Sequence, residues 1–273
     1  MAVKRKQKKK SAGLISTLLA ALILLLAVAV LLPSKQAPQP TETEAPTQPP
    51  VLPSPFSPED FYWEEGLLQC ATAEAVMGVD VSSHQQVVDW QQLKQAGVEF
   101  AFVRLGYRGY GSGELKQDEY ALQNLAGAKA AGIAVGAYVF SQAITVAEAE
   151  EEARFALEIL GDFRLDMPLV YDWEYVSEDA RTAHMDKRTL TDCTLAYCRI
   201  VEAAGYEAMV YFNGSQARDL LYLEELTEYR FWLAMYDISL PHPCRVDFWQ
   251  YTNKGSLPGI EGNVDIDLMF PAE

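Results

Sequence analysis

The chain has 273 residues, with 22 Lys and Arg against 38 Asp and Glu and a formal net charge of −16. Six of the basic residues lie between positions 4 and 10, which leaves 16 basic against 38 acidic residues, a formal charge of −22, for the remainder. An acidic surface of this kind repels phosphate backbones, so nucleic acid is excluded as a partner. The four cysteines lack the paired spacing of a zinc site, and we expect neither a metal nor another cofactor.

The amino terminus predicts a membrane anchor. Residues 1–10 form a basic cytoplasmic tail, and residues 11–32 are an uncharged run long enough to cross a bilayer as a transmembrane helix. Positive charge ahead of an apolar span holds the amino terminus in the cytoplasm and directs the rest of the chain to the outside. We therefore predict a single-pass protein of the cell membrane with an extracellular carboxyl-terminal domain. The alternative is secretion after cleavage of a signal peptide, whose apolar region is usually only about 7–15 residues long.

Between this anchor and the folded domain the sequence predicts a linker. Residues 33–58 are rich in Pro, Thr, Gln and Ser, a composition that is too polar to fold and is kept extended by its prolines. Residues 59–75 leave two interpretations open, a helix packed on the following domain or more of the linker. Residues 76–273 have the length of one domain with a sizeable core.

Strand-like and helix-like segments alternate through this domain. The predicted strands are 76–81, 100–105, 133–140, 169–172 and 208–212, and the predicted helices are 88–96, 118–131, 145–160 and 189–204. Three more strands come after them with short connections, at 231–236, 246–251 and 264–270. The alternation predicts an α/β fold, an irregular TIM-like barrel of five βα units followed by three strands.

Acidic and aromatic residues recur where the predicted strands end, the position at which barrels of this kind collect their functional side chains. The clearest pair is Asp172 and Glu174, which strand alternation places on one face while Trp173 points the other way. Neighbouring carboxylates cannot both ionise freely, so one tends to hold a proton near neutral pH. A neutral acid beside an ionised one is what cleavage of a glycosidic bond requires.

Several motifs occur in the order typical of a known family. They are Gly78-Val79-Asp80-Val81-Ser82-Ser83-His84-Gln85, Asp89-Trp90, Phe102-Val103-Arg104, Gly136-Ala137-Tyr138, Tyr171-Asp172-Trp173-Glu174, Phe248-Trp249-Gln250-Tyr251, and Gly259-Ile260 with Val264-Asp265. In this the chain resembles glycoside hydrolase family 25, lysozymes of the muramidase type, over nearly all of the folded domain. The resemblance implies a peptidoglycan hydrolase that cleaves the β-1,4 bond between N-acetylmuramic acid and N-acetylglucosamine.

The resemblance also implies roles for individual residues. Glu174 matches the general acid and Asp172 its partner carboxylate, and the acids of the first and last strands fall on Asp80 and Asp265. We expect Glu174 to be neutral and Asp172 ionised, and we leave open whether Asp80 and Asp265 take part in the chemistry or position other groups. The expected substrate-binding residues are the aromatic side chains Tyr107, Tyr138, Tyr211, Tyr236, Trp249 and Tyr251. For Arg104 we favour pairing with a buried acid over contact with a ligand.

Two other functions remain open on the sequence alone. One is a glycosidase acting on chitin-like polymers, although the additional Asp residues usual before its catalytic Glu are missing from Leu169-Val170-Tyr171. The other is a catalytically silent cell-wall protein that kept the barrel for binding glycan, against which the intact Asp172 and Glu174 argue. A metal-dependent deacetylase is a minor option. In each of the first two cases the expected partner is a glycan strand.

Overall fold

The computed structural model describes residues 50–270. The predicted basic tail 1–10, the predicted transmembrane helix 11–32 and most of the predicted linker lie outside the described residues. Within the range 50–270, no helix combines the length and the apolar character needed to cross a membrane.

Eight strands close into a barrel. In spatial order they are β3 (Val76–Val81), β11 (Val264–Met269), β10 (Phe248–Gly255), β9 (Arg230–Ala234), β8 (Ala208–Asn213), β7 (Leu169–Trp173), β6 (Ala134–Ser141) and β4 (Phe100–Arg108), and β4 pairs with β3 to complete the ring. Seven of these strands run parallel, and β11 is antiparallel to both of its neighbours. The predicted α/β barrel is therefore confirmed.

Helices follow the first five parallel strands, and the sequence predicts the first four of these helices. They are α1 (Trp90–Gln95), α2 (Ala121–Ala130), α3 (Val146–Leu160), α4 (Lys187–Ala203) and α5 (Gly214–Asp219). Thr145 caps the start of α3, because its side chain accepts a hydrogen bond from the Glu148 backbone N–H. A short strand that the sequence did not predict, β5 (Leu115–Gln117), folds back antiparallel on the end of β4.

The reversed direction of β11 decides which of its acids reaches the functional end of the barrel. The functional end lies at the carboxyl ends of the parallel strands, and a strand that runs the other way meets it at its own beginning. Asp265, the second residue of β11, lies opposite Asp80 in the register, whereas Asp267 lies opposite Gly78, deeper in the barrel.

Alternating side chains divide the domain into two apolar layers. The barrel interior is filled by Phe100, Phe102, Tyr138, Val170, Met209, Tyr211, Trp232, Ala234 and Phe248. The larger layer lies between the outer face of the sheet and the surrounding helices. Interior rings need glycine opposite them, since a Cβ at Gly136 would overlap the Phe102 ring. The side chains at the strand ends therefore pack on top of this inner apolar layer.

The segment before the barrel forms a hairpin, which corrects both interpretations of residues 59–75. Strands β1 (Phe61–Glu64) and β2 (Leu67–Cys70) pair antiparallel after a short 3-10 helix, Pro58–Asp60. The packed region also begins earlier than the predicted linker boundary at 58, because the Phe56 ring contacts Phe270 at a centroid distance of 4.5 Å. The hairpin covers part of the outer face of β10, which its aromatic rings contact.

Candidate active site

A cavity of about 290 Å³ opens at the carboxyl ends of the parallel strands. All eight strands of the barrel contribute to its lining, which consists of Asp80, Ser82, His84, Gln85, Arg104, Tyr138, Phe140, Asp172, Glu174, Tyr211, Trp232, Tyr236, Gln250, Asn253 and Asp265. The four acids predicted as catalytic from the sequence, at positions 80, 172, 174 and 265, are therefore brought together in one cleft. Three of the predicted substrate-binding tyrosines, at positions 138, 211 and 236, line it as well.

Burial raises the pKa values of all four carboxyl groups, and repulsion by neighbouring acids adds to this for Asp80, Asp172 and Glu174. The pKa of Glu174 rises to about 7, first because of burial and then because of the negative charge of Asp265. The pKa of Asp265 rises to about 6 through burial. For Asp80 and Asp172, burial followed by neighbouring acids holds the pKa well above its usual range. At neutral pH the cleft therefore holds fewer negative charges than carboxyl groups.

The expected division of charge between Asp172 and Glu174 is only partly reproduced. A raised pKa agrees with a neutral Glu174, but burial acts on Asp172 as well, whose side chain is only 4% exposed. The opposing influence on Asp172 is the positive charge of Arg104, which lowers its pKa. Burial alone therefore does not assign the proton to one partner, and Arg104 is the group that favours the ionised form of Asp172.

Gln250 connects the acids to the aromatic wall, a role that the sequence did not reveal. Its amide nitrogen donates to Asp80 Oδ2 at 2.7 Å, and its Oε1 accepts from the hydroxyls of Tyr236 at 2.8 Å and Tyr211 at 3.2 Å. One side chain thus orients a carboxylate and two phenols around the cleft. The available signal was its alternation with Trp249 and Tyr251, which puts Gln250 on the other face of the strand.

Two of the predicted substrate-binding residues do not line the cleft. Trp249 and Tyr251 are 1% and 2% exposed and lie on the outer face of β10, in contact with the β1–β2 hairpin through Phe61 and Trp63. The Trp249 indole N–H donates to the Met235 carbonyl at 2.8 Å. The prediction that these two residues contact substrate is therefore corrected, because β10 directs Gln250 inward and these rings outward.

Tyr107 lies in a second groove that adjoins the cleft. This groove, of about 710 Å³, shares His84, Arg104 and Phe140 with the cleft and continues it along the hairpin of β4 and β5. The Arg104 guanidinium lies over the Tyr107 ring, 5.2 Å from its centroid. Together the two cavities form an extended trench whose rings suit the apolar faces of sugars.

Arg104 is paired with a buried acid, as the sequence favoured. Its guanidinium contacts Asp118 Oδ2 at 2.8 Å and donates to Ser83 Oγ at 3.0 Å, and the Asp118 side chain is fully buried. Asp118 also accepts from the Ser83 backbone N–H at 2.9 Å, so the loop after β3 is fixed against β4. The guanidinium, whose positive charge lowers the pKa of Asp172, therefore has its orientation set by a buried acid.

Comparison with known proteins agrees with this geometry. The profile of Glycosyl hydrolases family 25 matches residues 79–260, which is more than half of the chain. The chain belongs to this family. It is therefore a glycoside hydrolase of family 25, and the matched range contains three of the four cleft acids, at positions 80, 172 and 174.

Individual relatives of this family 25 protein are distant in sequence. Lysozyme M1 of Streptomyces globisporus is 25% identical over 222 residues, which cover 74% of this chain and 70% of that protein. The uncharacterised protein YegX of Escherichia coli O157:H7 is 26% identical over 206 residues, covering 72% and 71% respectively.

Solved structures share the fold. The autolysin LytC of Streptococcus pneumoniae, solved with a synthetic peptidoglycan ligand, superposes with a TM-score of 0.64 at 26% identity and covers 77% of this chain. The chain spans about half of LytC, 52% of its length. A family 25 glycosyl hydrolase of Bacillus anthracis gives a TM-score of 0.63 at 22% identity, over 75% of this chain and 93% of that one.

Proposed function

We propose that this protein hydrolyses the β-1,4 bond between N-acetylmuramic acid and N-acetylglucosamine in peptidoglycan. The observation that carries the proposal is the cleft at the strand ends, where four carboxyl groups with raised pKa values lie among aromatic rings. Membership of family 25 supports it, as do the similarities to Lysozyme M1 and to LytC with its peptidoglycan ligand.

In this proposal Glu174 is the general acid. Its pKa of about 7 keeps much of it protonated at neutral pH, so that it can donate its proton to the leaving glycosidic oxygen. Asp172, whose ionised form the positive charge of Arg104 favours against burial, then orients the 2-acetamido group of the sugar as an internal nucleophile or activates a water molecule. Both routes use the same pair of residues, and they differ in the anomeric configuration of the product.

Asp80 and Asp265 are the other two acidic residues that line the cleft. Asp80 is held by Gln250, which also receives the hydroxyls of Tyr211 and Tyr236, so the acid and both rings are oriented as one unit. We assign Asp80 and Asp265 to the orientation of the sugar and to raising the pKa of their neighbours. Tyr107, Tyr138, Tyr211 and Tyr236 are assigned to the faces of successive sugar rings.

The test uses purified peptidoglycan as substrate. The digest is reduced with borohydride and hydrolysed, and the reduced amino sugars are identified. Muraminitol is the expected product, because cleavage of the proposed bond leaves a muramic acid reducing end. Glucosaminitol, or release of sugar from chitin, would assign a different glycosidic bond, and the absence of new reducing ends would make the protein a silent glycan binder.

Two variants connect the activity to the cleft. Glu174→Gln keeps the size and hydrogen-bonding capacity of the side chain but has no proton to give, so turnover should fall by at least about 100-fold while binding of glycan fragments persists. Asp172→Asn should reduce turnover by a similar factor. Glu158→Gln, an exposed position on α3, is the matched control and should retain full activity.

We also propose that residues 11–32 anchor the protein in the membrane with the barrel outside the cell. Support comes from the uncharged run and from the basic residues that precede it. Alkaline extraction of isolated membranes should leave the full-length chain in the pellet. A soluble product whose new amino terminus lies after this run would instead establish cleavage and secretion.

A further inference from the structure

The backbone that carries Glu174 lies just beyond the hydrogen-bonded part of its strand. The β6–β7 ladder ends with the pair Ser141 and Trp173, and the β7–β8 ladder ends with Asp172 and Tyr211. Neither register includes Glu174, so the sheet itself does not fix the residue to which we assign proton transfer. Placement of a reacting group within a fraction of an ångström matters for its rate, and another interaction must supply that precision.

Two buried glutamines donate hydrogen bonds to the backbone at the point where the two ladders end. Gln142, the residue after β6, donates from its amide nitrogen to the Glu174 carbonyl at 2.6 Å. Gln216, on α5, donates through a short hydrogen bond to the Trp173 carbonyl on the same strand end. Their side chains are 0% and 2% exposed, so these bonds are shielded from water. The two amides continue the ladders of the sheet by one step with side-chain donors.

The orientation of both amides is set by their own partners. Gln142 Oε1 accepts from the hydroxyl of Thr182 at 3.1 Å, and Gln216 Oε1 accepts from the Asn213 backbone N–H at 2.7 Å. Since each oxygen is occupied by a donor, each nitrogen is left to face the carbonyls of the strand end. Thr182 is itself 1% exposed, which ties the loop after Glu174 to the same point.

We propose that Gln142 and Gln216 are positioning residues, a clamp that holds the main chain at Glu174 and thereby fixes its carboxyl group within the cleft. The expected effect of the clamp on the reaction rate rests on the proposed function. Its expected effect on the position and titration of Glu174 rests on the geometry alone. A residue with a merely structural role would change stability without changing how Glu174 titrates. Removal of a clamp should in addition make the Glu174 side chain more mobile and more hydrated.

The test replaces each glutamine by methionine, which keeps the length and shape of the side chain but has no N–H to donate. In Gln142→Met and Gln216→Met, kcat on peptidoglycan should fall by about 10- to 100-fold while KM changes by less than about twofold. Because water then reaches Glu174, its pKa should move from about 7 towards its ordinary value of 4.5, and the alkaline limb of the pH–rate profile should move down with it. Gln91→Met, an exposed glutamine on α1, is the matched control and should leave all three quantities unchanged.

A second measurement is independent of activity. Carbon NMR of the full chain labelled at the glutamate carboxyls follows the titration of Glu174, with Glu174→Gln used for assignment. An inactive wild-type chain would overturn the proposed function, and the Glu174 titration would still decide the clamp. If Gln142→Met fails to fold, Thr182→Val removes the hydroxyl that orients this amide and should lower the Glu174 pKa in the same direction. Variants whose Glu174 titrates as in the wild type would overturn the inference.

Discussion

Glu174 should weaken the fold at the pH at which it is proposed to work. Its pKa rises from 4.5 to about 7 on folding, which means that the folded chain binds this proton more tightly than the unfolded chain does. The stability contributed by the neutral carboxyl is fully present below about pH 4.5 and is lost as the pH rises through about 7. We therefore expect Glu174→Gln to stabilise the protein at neutral and alkaline pH while it abolishes activity.

The size of the effect is set by the two pKa values. Each pH unit between 4.5 and about 7 corresponds to about 1.4 kcal/mol, which gives about 3 kcal/mol in total. The Glu174 side chain is partly exposed, so solvent screening reduces this to about 2–3 kcal/mol. The negative charge of Glu174 also raises the pKa of Asp172, and its removal relieves that second carboxyl in the same direction.

Urea unfolding of the full chain measures this effect. Between about pH 4 and about pH 8, the free energy of unfolding of Glu174→Gln should gain about 2–3 kcal/mol on the wild type, and the control Glu158→Gln should match the wild type throughout. A difference between Glu174→Gln and wild type that stays constant across this range would refute the reasoning, since it would mean that folding leaves the Glu174 pKa unchanged.

The contacts within and behind the cleft predict three more outcomes. The turnover rate of the wild type should fall as the pH rises through about 7, because Glu174 must be protonated to act, and a pH–rate profile checks this. Arg108→Met should lower the free energy of unfolding by about 3–5 kcal/mol in urea denaturation. Arg108 is only 4% exposed, and its Nε lies 2.7 Å from the carboxylate of the buried Glu152, which the substitution leaves without this cation. Asp267→Asn should keep the acceptor for the Trp232 indole N–H, now 2.8 Å away, and retain activity within about threefold, whereas Asp267→Leu should cost about 1–3 kcal/mol of stability in the same assay.

The barrel was predictable because its alternation is strong. Five strands, the four helices between them and three closing strands are indicated by apolar runs and helical patterns, and the structure has all of them. The hairpin β1–β2 was not predictable in the same way, because Phe61 and Leu68 are the only buried residues of its two strands and give no apolar alternation. The burial of Phe61 depends on the outer face of a barrel that the local sequence does not describe.

The cleft acids were predictable for a different reason. Asp80 and Asp172 stand where parallel strands end, and topology alone brings such positions together. The reversed direction of β11 could not be predicted without knowing which strands it pairs with. Asp265 nevertheless lies at the cleft, because β11 begins at that end of the barrel. Gln250 belongs to one of the matched motifs but was not predicted as a site residue, because a neutral amide carries no charge pattern and its importance appears only through its three partners.

Strand alternation alone could not place Trp249 in the core or in the cleft. Substitution of Trp249 distinguishes these two positions. Period two states that Trp249 and Tyr251 share a face but not which face turns inward. The ring lies 4.8 Å from Phe61 and 4.4 Å from His242 in centroid distance, with no surface in the cleft. Trp249→Ala should therefore cost about 3–5 kcal/mol of stability in urea denaturation while kcat and KM of the folded fraction stay within about twofold. Tyr236→Phe is the converse case, because this exposed ring lies in the cleft and its hydroxyl bonds to Gln250, so it should alter KM or kcat with little change in stability. A Trp249 variant with a raised KM and an unchanged unfolding free energy would restore the original assignment of that ring to the substrate.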